Sequence, residues 1–119
     1  MRNVKIAAIQ MQCSTNLQTN LEKAEKMVRQ AAGDGAQIIL LPELFEREYF
    51  CQQRRYDFYH LAKPVEENDA VQMGMRLAKE LNVVLPISFY EQDINTLYNS
   101  IACIDADGTL SGVYRKTHI

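Results

Sequence analysis

Hydrophobic positions in the first 41 residues predict a strand, a helix and a second strand. Residues Val4–Met11 form a short apolar run that contains valine and isoleucine, which is typical of a strand. The next apolar residues recur at intervals of four and three and trace one face of a helix: Leu17, Leu21, Ala24, Val28 and Ala31. The run Ala36–Leu41 is apolar throughout, so we expect a strand of a parallel sheet that is buried on both faces.

Residues at the two ends of this helix predict how it is capped. Thr19 and Glu22 match the capping-box pattern, in which each side chain bonds the other's free backbone N–H group. Gly33 and Gly35 tolerate the left-handed turn that commonly ends a helix. Strand, helix and strand in this order predict a βαβ unit with a right-handed crossover.

The second half of the chain predicts another helix and three more strands. Apolar residues share one face of a helix over Asp69–Leu81, and Asn82 suits a left-handed stop. The run Val83–Tyr90 has strand character, although Pro86 cannot donate to a ladder and favours an edge strand or a bulge. Residues Phe45–Pro64 have no clear period and predict a loop followed by a short helix.

Two further apolar runs predict an antiparallel hairpin. Leu97–Ile104 and Thr109–Tyr114 are separated by a connection that ends in Asp107–Gly108, a strong signal for a tight turn. Together with the βαβ unit, this hairpin predicts the α/β class with a mixed sheet. No linker or repeat divides residues 1–119, so we expect one domain or part of one.

Composition and charge exclude several classes of protein. The chain has 119 residues, 47% of them hydrophobic, which is enough for a globular core. No apolar stretch reaches the length of about 18 residues that a membrane-spanning helix needs. The polar residues that interrupt the first strand do not suit a signal peptide, so the expected location is cytoplasmic. Acidic and basic residues are interspersed, and no basic stripe supports nucleic-acid binding.

Glu43 and Lys116 are the residues whose positions suggest chemistry. Glu43 follows the carboxyl end of a predicted parallel strand, where open α/β sheets bind ligands. Apolar neighbours would desolvate this carboxylate and raise its pKa towards that of a general base, whereas the alternative is a solvated loop or capping glutamate. Lys116 ends the last strand and could stabilise an oxyanion, although a lysine there is more often a solvated charge. His118 lies two residues further on, on the same face as Lys116 if the strand continues. The alternative is that this histidine is structural or merely terminal.

The three cysteines do not predict a disulfide framework or a zinc site, because their number is odd and none forms a CxxC pair. Cys103 alternates with Leu97 and Ile101 and is expected to be a buried core residue. Cys13 lies in a polar stretch. Cys51 is near Glu43 in sequence, but apolar neighbours would raise the pKa of its thiol and disfavour reactivity.

Two segments resemble motifs of the nitrilase, or carbon–nitrogen hydrolase, superfamily. Ile38–Phe45 (IILLPELF) is similar to its glutamate motif, and Tyr114–Ile119 (YRKTHI) is similar to its lysine motif. The segment from Leu97 to Lys116 also resembles the strand pair that leads to the lysine in members of the superfamily. Pro42–Gln52 and Val83–Glu91 look most like the members that act on N-carbamoylputrescine, and relatives that act on β-ureidopropionate, ω-amides or N-carbamoyl amino acids share the framework.

The resemblance implies a fold, an activity and a set of site residues. The fold would be the N-terminal half of an α-β-β-α sandwich, with Glu43 as general base and Lys116 as electrostatic stabiliser. Tyr49 and His118 would contact a small carbamoyl-amine substrate. Neither a metal nor an organic cofactor is implied, and homo-oligomers are expected.

The same resemblance implies that a cysteine nucleophile lies beyond Ile119, in a C-terminal part that these 119 residues lack. We therefore expect a partial hydrolase domain that is inactive when isolated. The alternative is a truncated chain without any catalytic role, which serves at most as a folding or assembly partner.

Overall fold

A computed structural model of the chain describes residues 3–46, 62–94 and 96–117. The helices and strands are β1 Ile6–Ala8, α1 Leu17–Gly33, β2 Ile38–Leu40, α2 Asp69–Leu81, β3 Leu85–Asp93, β4 Thr96–Ile104 and β5 Leu110–Arg115. A short 3₁₀ turn, Val65–Glu67, precedes α2. No helix in the described part of the chain has the length and apolar character needed to cross a membrane.

The strands form a parallel pair and an antiparallel sheet. β1 pairs with β2 in parallel across α1, as the βαβ prediction requires. β3, β4 and β5 follow one another in an antiparallel sheet, which confirms the predicted hairpin. A parallel bridge between Ile38 and Val84 connects the two groups of strands. β3 is the outermost strand of the antiparallel sheet. Its outer side is not a free edge, because a further parallel bridge joins Glu91 to Lys63. The irregularity in register lies at Cys103/Ile104 on β4 rather than at Pro86. The predicted α/β class with mixed strand directions is confirmed.

The first helix is capped differently from the prediction. Asn16 is the N-cap, and its side-chain oxygen accepts a hydrogen bond from the N–H of Thr19 at 2.9 Å. Thr19 is thus already inside the first turn of α1, and the predicted Thr19–Glu22 capping box is wrong. Asparagine caps helices at least as well as threonine, so Asn16 begins the helix earlier. After the helix, Gly35 takes the left-handed conformation, with φ 96°.

The second helix agrees with the prediction at both ends. It spans Asp69–Leu81, and the side chain of Asn68 caps it by accepting a hydrogen bond from the N–H of Val71 at 3.0 Å. Asn82 adopts the left-handed conformation, with φ 55° and ψ 49°, and its N–H group bonds to the carbonyl of Ala78. Asparagine tolerates this conformation better than other side chains with a β-carbon, which is why the helix stops there.

The core lies between the helices and one face of the strands. It contains fully buried side chains from both strand groups and from both helices: Val28, Ile39, Leu77, Leu85, Ile87, Phe89 and Ile104. α2 lies close to β3 and β4 at Gly74. A β-carbon on this residue would lie 2.7 Å from Cγ1 of Ile87 and 2.8 Å from Cδ1 of Ile104. The glycine therefore sets the distance between helix and sheet.

Two predictions of burial are wrong because the opposite face of the strands is open. In β2, Ile39 is fully buried but Leu40 is 46% exposed, so this strand is not covered on both faces. In β4, Ala102 and Ile104 point into the core, whereas Cys103 is exposed. Residues 102–104 alternate between the two faces of β4 as predicted, but the buried face carries Ala102 and Ile104 rather than Cys103. The short helix predicted within Phe45–Pro64 falls largely on positions 47–61, outside the described residues.

We expect Gly74→Ala to lower the free energy of unfolding. Overpacking typically costs about 1–3 kcal/mol, and the gain in helix propensity offsets at most about 1 kcal/mol. The matched control is Gly33→Ala at the end of α1, where a β-carbon meets no atom within 4 Å. Chemical denaturation of both variants measures the difference. A Gly74→Ala protein as stable as the Gly33→Ala protein would contradict the close packing.

Candidate active site at the end of the second strand

The chain turns sharply just after β2, and this turn places Glu43. Leu44 has a positive φ of 51°, which is unusual for a residue with a branched side chain. Its N–H group donates to Oγ of Ser88 on β3 at 2.9 Å, and both Leu44 and Phe45 are buried. A left-handed backbone costs roughly 1–2 kcal/mol in a residue with a β-carbon. Burial of these two side chains and the bond to Ser88 hold the turn in that conformation.

A second anchor of the turn comes from α1. Asn20 is fully buried, and its side-chain nitrogen donates to the carbonyl of Glu46 at 2.6 Å and to the carbonyl of Ser14 at 2.7 Å. Its side-chain oxygen accepts from the N–H of Ser14 at 2.8 Å. One asparagine thus joins the loop after β1 to the turn after β2. The segment that carries Glu43 is held on both sides, by α1 and by β3.

Glu43 and Lys116 are in direct contact, although they are 73 positions apart in the sequence. The Lys116 ammonium nitrogen Nζ lies 2.7 Å from Oε1 of Glu43. The side chain of Lys116 is 41% exposed and that of Glu43 is 39% exposed, so the pair faces open space on the uncovered side of the sheet. The carboxylate and the ammonium that the sequence singled out are therefore brought together.

A third residue, Asn99 on β4, contacts both members of this pair. Its side-chain nitrogen donates to the same Oε1 of Glu43 at 2.7 Å. Its backbone carbonyl accepts the N–H of Lys116 at 2.8 Å, which continues the pairing of β4 and β5 past the end of β5. Asn99 is only 4% exposed.

These residues line a cleft of about 350 Å³ on the uncovered face. Its walls combine apolar side chains with a few polar ones: Leu40, Leu41, Glu43, Ser88, Asn99, Ser100, Ile101, Tyr114 and Lys116. A mostly apolar recess with convergent polar groups is the usual form of a small-molecule site. Within the described ranges, no group of three or more His, Cys, Asp or Glu side chains is placed to hold a metal ion.

The environment of Glu43 gives it a low pKa, and the prediction of a raised pKa is wrong in direction. Burial raises the pKa of Glu43. The hydrogen bonds from Lys116 and Asn99 and the positive charge of Lys116 lower it, and together they outweigh burial, so the pKa lies below the ordinary value. The apolar neighbours in sequence account only for the effect of burial, and the two donors come from distant parts of the chain. Glu43 is consequently a carboxylate at neutral pH, the form that can accept a proton.

Arg115 fixes the strand end from which Lys116 projects. Its guanidinium binds both oxygens of Glu91 at 3.0 and 3.1 Å and one oxygen of Asp93 at 2.6 Å. It also lies over the ring of Tyr98, 4.0 Å from the centroid. Glu91 is buried and accepts a further bond from Ser100 at 2.7 Å. The Arg115 hydrogen bonds hold the pKa of Glu91 below its usual value, although burial opposes them.

Several residues of the sequence prediction cannot be placed, and others were missed. Tyr49, Cys51 and His118 lie outside the described residues. Asn20 and Asn99 were not predicted, although each is a polar residue among apolar neighbours on a helix face or a strand. Such a position indicates a buried hydrogen-bonding role, but the sequence does not show what the side chain binds.

A family pattern and several known proteins match nearly the whole chain. The carbon–nitrogen hydrolase family pattern matches residues 5–119. The N-carbamoylputrescine amidase of Arabidopsis thaliana is 50% identical over 118 residues, which are 99% of this chain and 40% of that protein. The citrullinase of Francisella tularensis is 48% identical over 119 residues, or 100% of this chain and 42% of that protein. The chain thus spans about two fifths of the length of these relatives.

A solved structure agrees with the fold. The carbon–nitrogen hydrolase of Helicobacter pylori G27 superimposes with a TM-score of 0.87 at 26% identity, over 98% of this chain and 40% of that one. The arrangement of β1 to β5 with α1 and α2 is therefore that of the N-terminal half of such a hydrolase, as the sequence predicted.

We expect Glu91→Gln to destabilise the protein at neutral pH by about 1–3 kcal/mol, because it weakens a buried, charge-assisted network. The folded-state pKa of Glu91 is depressed, so its stabilising contribution is present above the unfolded carboxyl pKa of about 4.3 and is lost as the pH falls through the folded value. Unfolding curves from pH 7 down to pH 3 should therefore show the stability difference shrinking, because the wild type loses the contribution that the variant already lacks.

The matched control for this experiment is Glu66→Gln, which changes an exposed glutamate ahead of α2. Surface substitutions of this kind usually alter stability by less than about 0.5 kcal/mol. An equal loss in both variants, or a gap between wild type and Glu91→Gln that does not depend on pH, would contradict the role of the Arg115 contact.

Proposed function

The chain belongs to the carbon–nitrogen hydrolase family, and on this premise we propose that it supplies the general base and the stabilising cation of an enzyme that hydrolyses a non-peptide carbon–nitrogen bond. The observation that carries the proposal is the contact of Lys116 with Glu43 at 2.7 Å in an open cleft. A carboxylate held ionised beside an ammonium provides a proton acceptor and a positive charge a few ångströms apart. Acyl-transfer chemistry needs both.

The third group in the proposed mechanism is a cysteine that follows these 119 residues in the longer protein. Its thiolate attacks the carbonyl carbon of the substrate, and Lys116 offsets the negative charge that develops on the carbonyl oxygen. Glu43 takes the thiol proton and passes it to the departing ammonia. The same carboxylate then activates a water molecule against the thioester-like intermediate.

We propose N-carbamoylputrescine as the substrate, with putrescine, carbon dioxide and ammonia as products. The support is the 50% identity to the Arabidopsis amidase that is named for this compound, over nearly all of the chain. Citrulline is the second candidate, because the citrullinase of Francisella tularensis is 48% identical over the whole chain. Both compounds end in a ureido group, so the bond cleaved is the same, and they differ in the charges at the far end.

In the longer protein, we expect Glu43→Gln to reduce ammonia release from N-carbamoylputrescine by at least about 10²-fold, because general-base catalysis contributes at least that much. Glutamine keeps the shape of the side chain and can still accept a bond from Lys116, so a loss of activity reports the missing base. The control is Gln72→Glu, a charge change on an exposed residue of α2 that lies outside this cleft. Retention of most activity in Glu43→Gln would rule out the assignment of the base.

A competition assay distinguishes the two substrates. The purified longer protein is given N-carbamoylputrescine and citrulline, and ammonia is measured for each. We expect the higher kcat/KM with N-carbamoylputrescine. A preference for citrulline would assign the protein to the second candidate, and failure with both compounds and with other ureido or amide substrates would overturn the proposed function.

The 119-residue chain alone is expected to release no ammonia, because it holds the base and the cation without the proposed nucleophile. Size-exclusion chromatography should show association rather than a monomer, since several large apolar side chains are uncovered, among them Ile6 and Leu40. Turnover by the isolated chain that Cys51→Ala abolishes would place the nucleophile within these residues instead.

A further inference from the structure

Asn99 is the one residue that bonds to both Glu43 and Lys116 within the described part of the chain. It lies on β4, almost fully buried, opposite Tyr90 of β3 in the strand register. Its backbone carbonyl holds the N–H of Lys116, and its side chain holds the carboxylate of Glu43. A change in the side chain alone would therefore release Glu43 while the backbone bond to Lys116 remains.

The orientation of the Asn99 amide follows from its partner. Glu43 is a carboxylate and can only accept hydrogen bonds, so the amide must present its NH₂ group to Oε1. The opposite orientation would bring two oxygens together at 2.7 Å, a separation at which they repel each other. Asn99 is thus a committed donor, and replacing its amide by a carboxylate of nearly the same shape would turn attraction into repulsion.

The two oxygens of Glu43 are not equivalent. Oε1 accepts from Lys116 and from Asn99, both at 2.7 Å. Oε2 receives no hydrogen bond from residues 3–46, 62–94 or 96–117. An oxygen that already has two strong donors is a poor proton acceptor, because a proton added there would meet N–H groups that already point at it. With respect to the residues that the structure describes, the lone pairs without a donor are those of Oε2.

We propose that Asn99 is a positioning residue that reserves Oε1 of Glu43 for Lys116 and leaves Oε2 as the oxygen that exchanges the proton. This inference rests on the proposed function, because it specifies how the general base of that mechanism is oriented. Without Asn99, Lys116 is the one remaining donor to the carboxyl group among the described residues, and the group can rotate about its terminal torsion. The donor on the rigid strand removes that freedom.

The proton balance under this assignment is simple. The proton of the nucleophile's thiol moves to Oε2 while the S–H electron pair stays on sulfur, which gives a thiolate and a neutral carboxyl group. Oε1 remains the carbonyl oxygen of that group and still accepts from Lys116 and Asn99. The proton on Oε2 then passes to the nitrogen that leaves, and Glu43 returns to the carboxylate.

The test compares Asn99→Ala and Asn99→Asp in the longer protein. For Asn99→Ala, we expect kcat to fall by up to about 10²-fold, a loss that a misplacement of about 1 Å can cause, while KM changes less than about threefold. The acidic limb of the kcat/KM profile should move to higher pH, because the lost hydrogen bond no longer lowers the pKa of Glu43. Asn99→Asp should shift this limb further, since it adds a negative charge.

Cys103→Ala is the matched control, because Cys103 lies on the same strand and on the same open face but does not line the cleft. It should leave kcat and the pH profile unchanged. A residue with only a structural role would lower the yield or melting temperature of the protein without moving the acidic limb. Normal kcat and an unmoved limb in both Asn99 variants, with Glu43→Gln inactive, would overturn the role of Asn99 and leave the proposed function standing.

A second measurement does not depend on turnover. Carbon-13 NMR titration of the glutamate carboxyl groups, with Glu43 assigned by its absence in Glu43→Gln, gives the pKa of Glu43 directly. We expect this pKa to rise in Asn99→Ala, to rise further in Asn99→Asp, and to stay unchanged in Cys103→Ala. An unchanged pKa in both Asn99 variants would overturn the inference even if the wild-type protein proved inactive on every substrate tested.

Discussion

The contact between the Lys116 ammonium and the Glu43 carboxylate is the interaction on which the site depends. It joins the turn after β2 to the end of β5 and so links the parallel strand pair to the antiparallel sheet. Other hydrogen bonds position the two segments that make this contact. Ser88 and Asn20 hold the turn that carries Glu43, and Arg115 holds the strand end that precedes Lys116.

The open face of the strands explains both the location of the site and the errors in predicted burial. Helices cover one face, where Ile39 and Ile104 are packed, and the cleft occupies the other. Sequence periodicity shows which residues alternate but not which of the two faces is covered. For that reason the predicted burial of Cys103 and Leu40 is wrong, and both residues are exposed.

Local signals predicted the elements well, and contacts between distant residues could not be predicted in the same way. α2 and Asn82 follow from spacing and from a backbone preference that a single residue carries. Glu43 and Lys116 were found through their positions at strand ends and through the family motifs. The left-handed turn at Leu44 and the hydrogen bond from Asn99 depend on partners 44 and 56 positions away, and neither spacing nor residue type identifies those partners. The predicted direction of the Glu43 pKa shift is wrong for the same reason, because Lys116 and Asn99 are distant in sequence.

The partial exposure of Glu43 and Lys116 has a consequence for how the pair responds to its surroundings. With about two fifths of each side chain open to solvent, dissolved ions can approach the pair and screen its attraction. Any group that covers the cleft would exclude both water and counterions, and the attraction would strengthen as the local dielectric falls. Occupancy of the cleft and the strength of the ion pair are therefore coupled. The attraction between Glu43 and Lys116 reaches its full strength only when a bound group covers the cleft.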